Sequence, residues 1–196
     1  MLLALAGITG VGKTYYMNKI SEELEFDKVR TIRTRKRREN EINSTTGLFM
    51  NNEELNLLEK QGKLAYSFEV FGSRYAYLKE DIFSTKNMVF EIHYSTIYDW
   101  KKIRPDIKTI YIFPKDINVA KKMILDRNLP KDKEEERIIE IGQHYDRMMK
   151  DFELREMFDY IVYNNYDNQS EKEIITLVKE IEKLKKGGSI DFSLYK

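Results

Sequence analysis

The chain has no cysteine, two histidines (His93 and His144) and three prolines in 196 residues. Without cysteine there is no disulfide, no thiolate metal site and no cysteine nucleophile. Two imidazoles are too few for an ordinary structural zinc centre. Charge of one sign is also lacking: 34 Lys and Arg stand against 33 Asp and Glu, a formal net charge of +1. No global basic field is available to gather nucleic acid. No apolar run is long enough to span a membrane. Residues 1–7 lack the basic segment of a secretory leader, and their apolar stretch is too short for one. The expectation is a soluble, cytoplasmic chain, monomer or homodimer, without nucleic-acid or membrane partners. A hydrophobic fraction of 41% is enough to build the core of one domain.

What is present is sharper. Residues 7–14 read G-I-T-G-V-G-K-T, a complete G-x-x-x-x-G-K-[ST] phosphate loop. An apolar run at 2–6 precedes it and reads as a buried parallel strand; residues 15–25 follow it and read as a helix. That context gives the pattern a mechanism. The backbone N–H groups around Gly10, Val11 and Gly12 can converge on phosphate, helped by the positive end of the helix. Lys13 can reach the outer phosphates, and the Thr14 hydroxyl can ligate Mg²⁺. ATP and Mg²⁺ are the implied donor and ion.

Strand-like runs then alternate with helical patterns, the signature of a three-layer α/β fold around a parallel sheet. Residues 29–34 lead as a strand into a basic loop. Residues 53–61 read as a helix capped by Asn51 or Asn52. Residues 64–71 and 74–78 alternate around Gly72-Ser73 and read as a hairpin. Strands are expected at 88–92, 107–113 and 158–163, and helices at 116–126, 137–156 and 170–186. Pro130 bars a regular helix through the charged stretch 128–136. Glu91 is a lone carboxylate in the apolar strand 88–92. A buried carboxylate needs a cation or donors, which Mg²⁺, its bound water or Lys13 would supply.

Five segments, in order and spacing, resemble guanylate kinase from Leu2 to about Leu184. The phosphate loop is close to G-P-S-G-V-G-K. Residues 31–41, T-I-R-T-R-K-R-R-E-N-E, are similar to S-x-x-T-T-R-x-P-R-x-x-E. Residues 49–55, F-M-N-N-E-E-L, resemble F-V-S-x-x-E-F. Residues 71–77, F-G-S-R-Y-A-Y, resemble G-x-x-Y-G-[ST], and 158–165, F-D-Y-I-V-Y-N-N, resemble F-D-Y-V-V-V-N-D. The likeness implies a P-loop NTPase fold with its core at about 1–32 and 86–186. It also implies a small β-rich acceptor-binding insert at about 33–85 and a helical lid at about 127–140.

The resemblance further implies transfer of the ATP γ-phosphoryl group to a nucleoside monophosphate. Lys13, Arg38 and Arg127 are then the catalytic cations. Asn164 lies near the adenine of ATP, and Thr14 and Glu91 address the metal. Thr31, Arg35, Arg38, Tyr66, Glu69, Tyr75, Tyr77 and His93 are the candidate acceptor residues. Departures from the pattern are informative. Where the family reads guanine with Glu and Ser or Thr, this chain has Tyr66 and Tyr77. A phosphate-contacting Tyr is Gly47, and an Asp is His93. Of the lid arginines only Arg127 remains, with Met123 and Ile141 at the other places; Lys131, Lys133 and Arg137 are the nearby cations. Tyr66, Tyr77 and His93 either enclose a different base or fill a degenerate pocket, and Glu69 reads guanine if the hairpin register is shifted by two. Two alternatives stay open: a sugar phosphate such as ribose 1,5-bisphosphate as acceptor, or a non-catalytic protein-binding module. His144 receives no role.

Overall fold

The computed structural model describes residues 1–37, 41, 46–70, 72–127 and 130–185. Strand β1 (Leu2–Gly7) is buried along its whole length. Its alternate side chains therefore serve two cores. Leu3 and Leu5 enter one with Tyr16, Ile20, Ile174 and Val178, while Leu2, Ala4 and Ala6 enter another with Phe90, Trp100 and Tyr111. A strand apolar on both faces has to be covered on both sides, which gives three layers.

The main sheet runs β2 (Asp27–Lys28), β7 (Met88–Glu91), β1, β8 (Lys108–Pro114), β9 (Tyr160–Asn164), with every pair parallel. Helices α1 (Lys13–Glu23) and α8 (Asn168–Lys185) contribute to the first core. Helix α4 (Ile97–Ile103) brings Trp100, wholly buried, to the second. No sequence pattern had marked α4; it follows a short 3-10 turn, Tyr94–Thr96, directly after β7.

A second sheet has the order β4 (Gly47–Phe49), β3 (Thr31–Arg33), β6 (Ser73–Leu78), β5 (Leu64–Val70). The β5–β6 hairpin is the one expected, with an irregularity between Leu64 and Tyr66. Ile32, Ala76 and Leu78 pack with Leu55 of α2 (Asn52–Lys60) in a small third core. Asn51, not Asn52, caps α2: its side chain accepts from Glu54 N at 2.8 Å while Glu54 accepts from Asn51 N at 2.9 Å.

Two helix boundaries differ from the sequence reading. Helix α6 (Lys131–Lys150) begins immediately after Pro130, so the proline precedes the helix rather than interrupting it. Asp132 and Glu134 suit its positive first turn. The pattern that continues to 156 is cut at Asp151, whose side chain accepts from Leu154 N at 2.9 Å and caps α7 (Phe152–Glu156). Between β8 and α6 lies α5 (Ile117–Leu125), capped by Asp116 as expected. No helix among the described residues is long and apolar enough to cross a membrane.

Candidate active site

The loop between β1 and α1 is fixed by contacts that leave glycine as the fitting residue. Gly10 has φ +86°, and a Cβ there would stand 2.5 Å from the Ala120 carbonyl oxygen. Gly12, φ +91°, precedes α1 with no side-chain cap. The first amides of α1 therefore keep their donors for an anion. Val11 is fully buried, so only its backbone belongs to the phosphate site.

Asn164 has another place than expected. It is 2% exposed; it accepts from the Tyr16 hydroxyl (2.8 Å) and from Tyr166 N (2.7 Å), and donates to the Val11 carbonyl (3.0 Å). A side chain so engaged holds the loop from beneath rather than facing an adenine ring.

Lys13 is half-buried, and its ammonium donates to the Gly7 and Ile8 carbonyls, both at 2.9 Å. An ammonium has three donors, so one remains for a phosphate oxygen. Burial lowers the Lys13 pKa, while the charges of Glu91 and then Glu140 pull it back up and Arg127 lowers it. Glu91, at the carboxyl end of β7, accepts from the Thr14 hydroxyl at 2.6 Å. Loop and strand thus bring together the two oxygens singled out for a metal.

Helix α6 adds a pair that sequence reading half found. Arg137 donates to Glu140 at 2.7 Å, and its charge reaches both Arg127 and His93. Arg127 also lies in the field of Glu91. Lys133 is committed to Glu136 at 3.0 Å on an exposed face, and Lys131 is exposed. Glu140 carried no local signal; only the packing of α6 brings its charge to bear on Lys13.

The second sheet sorts the acceptor candidates by face. Residues directly opposite in register share a face. Thr31 lies opposite Gly47 and Tyr77, and Arg33 opposite Phe49 and Tyr75. Tyr66 and Phe68 lie opposite Tyr77 and Tyr75. All these residues share the face that meets Glu91 and α4. Glu69 lies opposite Arg74, on the other face, where Arg74 reaches Asn56 and Glu59 of α2. An exposed Glu69 pointing away corrects the shifted-register expectation.

Tyr77 is 2% exposed, donates its hydroxyl to the Glu91 carbonyl at 3.0 Å, and packs edge-on against Phe90 and Trp100. It packs as a core residue, which is the second of the two roles left open for it. Burial raises its pKa, so the hydroxyl stays protonated. Tyr66 is half-buried and donates to Asp99 of α4 at 2.6 Å. Its ring stacks on Phe68, which stacks in turn on Tyr75. At Arg35 a two-oxygen fork to Glu41 (2.5 and 2.6 Å) is joined by a 3.4 Å contact with the Tyr75 hydroxyl. Arg38 lies outside the described residues.

His93 pairs its Nδ1 with the Ser95 hydroxyl at 2.6 Å and caps the turn after β7. Burial pushes its pKa down to about 4, helped by the charges of Lys13, Arg137 and Arg147. His144, 3% exposed, meets the Tyr111 hydroxyl at 3.1 Å and lies flat on Tyr94; burial pushes its pKa to about 2. Both histidines are neutral in the fold at pH 7. Their folded pKa values lie below 6.5, so the unfolded chain takes up protons first on acidification. The stability tied to them is present above pH 6.5 and is lost as pH falls, toward about 4 for His93 and toward about 2 for His144. Each should contribute a loss of about 2 kcal/mol between pH 6.5 and 4.5. Urea titrations should therefore show a flatter stability–pH curve for His93→Asn/His144→Asn than for the wild type. Parallel curves would contradict the assignment.

A family profile described as guanylate kinase matches residues 1–182. A guanylate kinase of Wolbachia pipientis is 26% identical over 193 residues, covering 95% of this chain and 92% of that protein. One from Enterococcus faecalis is 28% identical over 171 residues, covering 84% and 81%. Among solved structures, a guanylate kinase from Anaplasma phagocytophilum superposes with a TM-score of 0.66 at 18% identity, covering 94% of this chain and 85% of that one. At that identity the likeness speaks for the fold.

Proposed function

The chain belongs to the guanylate kinase family and is an ATP-dependent phosphotransferase, a nucleoside monophosphate kinase; we propose that its preferred acceptor is a pyrimidine (deoxy)nucleoside monophosphate rather than GMP. The observation that carries the kinase reading is the Thr14–Glu91 contact beside Lys13, set on a complete phosphate loop. Catalysis by such a site is alignment plus positive charge on the transferring group. Lys13 and the helix α1 amides hold the donor phosphates. Arg127 and, by the family pattern, Arg38 add cations. Arg35, Tyr75 and Thr31 face the acceptor phosphate. The insert at about 33–85 carries the acceptor, and closure of 127–140 excludes water, so ATP is not spent on hydrolysis. The non-catalytic reading is set aside by the family assignment, and nothing favours a sugar phosphate.

Mg²⁺ fits the residues present. It takes one or two protein oxygens and completes its octahedron with water and phosphate. Thr14 Oγ1 and Glu91 Oε1, 2.6 Å apart, are such a pair. When bound, the ion would neutralise charge on the donor phosphates.

The acceptor reading rests on where hydroxyls and carboxylates are spent. Guanine presents N1–H and N2–H₂ donors together. On the shared face Tyr77 is buried with its hydroxyl donated to the Glu91 carbonyl, and Tyr66 donates to Asp99, so the single phenol oxygen of Tyr66 is left to accept one guanine N–H. Leaving one guanine donor buried and unpaired costs about 1–3 kcal/mol, or about tenfold to a hundredfold in affinity. The stacked rings of Tyr66, Phe68 and Tyr75 suit a smaller base. One observation supports GMP instead: Asp99, at the end of Tyr66, has a second carboxylate oxygen to offer. Competition among GMP, dGMP, dTMP, dUMP and dCMP at fixed Mg·ATP decides. The expected result is a pyrimidine nucleotide with the highest kcat/KM. GMP or dGMP leading would overturn it and point to Asp99.

A further inference from the structure

Arg33, Arg35 and Arg37 occupy alternate positions, which sends them to one side of an extended chain. Their guanidinium carbons lie 5.7, 5.5 and 4.8 Å from the centre of the Phe49 ring. The three are not equally engaged. Glu41 holds Arg35 in a fork. Arg37 is exposed to water. Arg33 is half-buried, and among the described residues its guanidinium makes no hydrogen bond or ion pair.

Gly47 explains how Arg33 comes to rest there. A Cβ on Gly47 would stand 2.7 Å from Arg33 Nη1 and 2.7 Å from Phe49 Cε2. The guanidinium and the ring fill the volume that any side chain at 47 would need. A guanidinium has five donors and accepts nothing, so partial burial without an anion is costly. Arg33 also points the right way. It lies opposite Tyr75 in register, and its charge is felt at Tyr77, whose hydroxyl meets Glu91.

From this geometry we infer that Arg33 is an acceptor-binding residue: its guanidinium takes the phosphate monoester of the acceptor, while Arg35 is held preset by Glu41. The inference rests on the mononucleotide kinase reading and adds an acceptor-phosphate cation to it. Binding of a dianionic phosphate to a planar fork supplies two charge-assisted hydrogen bonds.

The test is a KM comparison using the mononucleotide that the wild type turns over fastest. Arg33→Ala should raise the acceptor KM by about tenfold to a hundredfold. It should leave the ATP KM within about twofold and the melting temperature near that of the wild type. Arg33→Lys should recover only part, because an ammonium cannot form the fork. Gly47→Ala changes no charge and demands no positive φ, yet it displaces Arg33. It should weaken the acceptor on its own and add little on top of Arg33→Ala. An unchanged acceptor KM in folded Arg33→Ala overturns the inference, as does an equal rise for ATP. A base-free probe separates this from the functional reading. Ribose 5-phosphate should bind the wild type and lose that binding in Arg33→Ala, read by calorimetry. If no mononucleotide is turned over, the kinase reading fails, and calorimetry alone judges Arg33: retained ribose 5-phosphate binding in Arg33→Ala counts against it.

Discussion

Lys13→Ala is expected to reduce phosphoryl transfer by about 10³–10⁵-fold while the protein remains folded. The ammonium donates to two loop carbonyls, and its third donor remains for a phosphate oxygen. Its loss removes a preorganised positive charge from the place where the transferring group becomes most negative. Stability should move the other way. The lowered pKa means that the fold disfavours the charged form, with burial as the largest cause. Removing the ammonium relieves that desolvation, which offsets the loss of two hydrogen bonds to Gly7 and Ile8. The melting temperature of the variant should therefore match or exceed that of the wild type. A coupled ADP-release assay and a thermal melt on one preparation check both halves. Turnover close to wild type in folded Lys13→Ala would end the kinase reading.

The donor half of the site was legible because its signals are local. Glycines at fixed spacing, a lysine and a threonine lie within eight residues, between an apolar run and a helix. Glu91 was legible for a related reason, as one carboxylate in a continuous apolar strand. The acceptor half was less so, because its determinants are distant in sequence. Tyr66 finds Asp99 on a helix that shows no clear amphipathic period, and Tyr77 finds the carbonyl of Glu91. Neither partner could be read from the hairpin itself. Alternation did place Glu69 on a face with Ser67, and the register shows that this face meets α2. Asn164 matched a pattern correctly and yet has a supporting role, because Tyr16, Val11 and Tyr166 surround it only once β9 is laid beside β8. Pro130 was read as a barrier when it marks a beginning, since a proline is costly inside a helix and harmless just before one.

Glu91→Gln is the substitution that separates charge from geometry at this centre. Glutamine keeps a carbonyl oxygen, so the Thr14 hydroxyl retains an acceptor in place of the 2.6 Å bond to the carboxylate. What disappears is one negative charge beside Lys13 and Arg127, and the anionic oxygen that suits Mg²⁺. The expected loss in kcat is about 10²–10³-fold, the scale for removing one preorganised electrostatic contact. A second readout follows from the sign of the coupling. Glu91 is the largest influence raising the Lys13 pKa against burial. Without it the lysine deprotonates more readily, so the alkaline limb of the kcat profile should move to lower pH. Raising Mg²⁺ should restore part of the rate at neutral pH and leave that limb where the variant put it. If kcat falls but the limb stays at the wild-type position, Glu91 acts on the metal alone, and its pairing with Lys13 has no part in the chemistry. If neither changes, the carboxylate belongs to the fold and the metal-linked role is wrong.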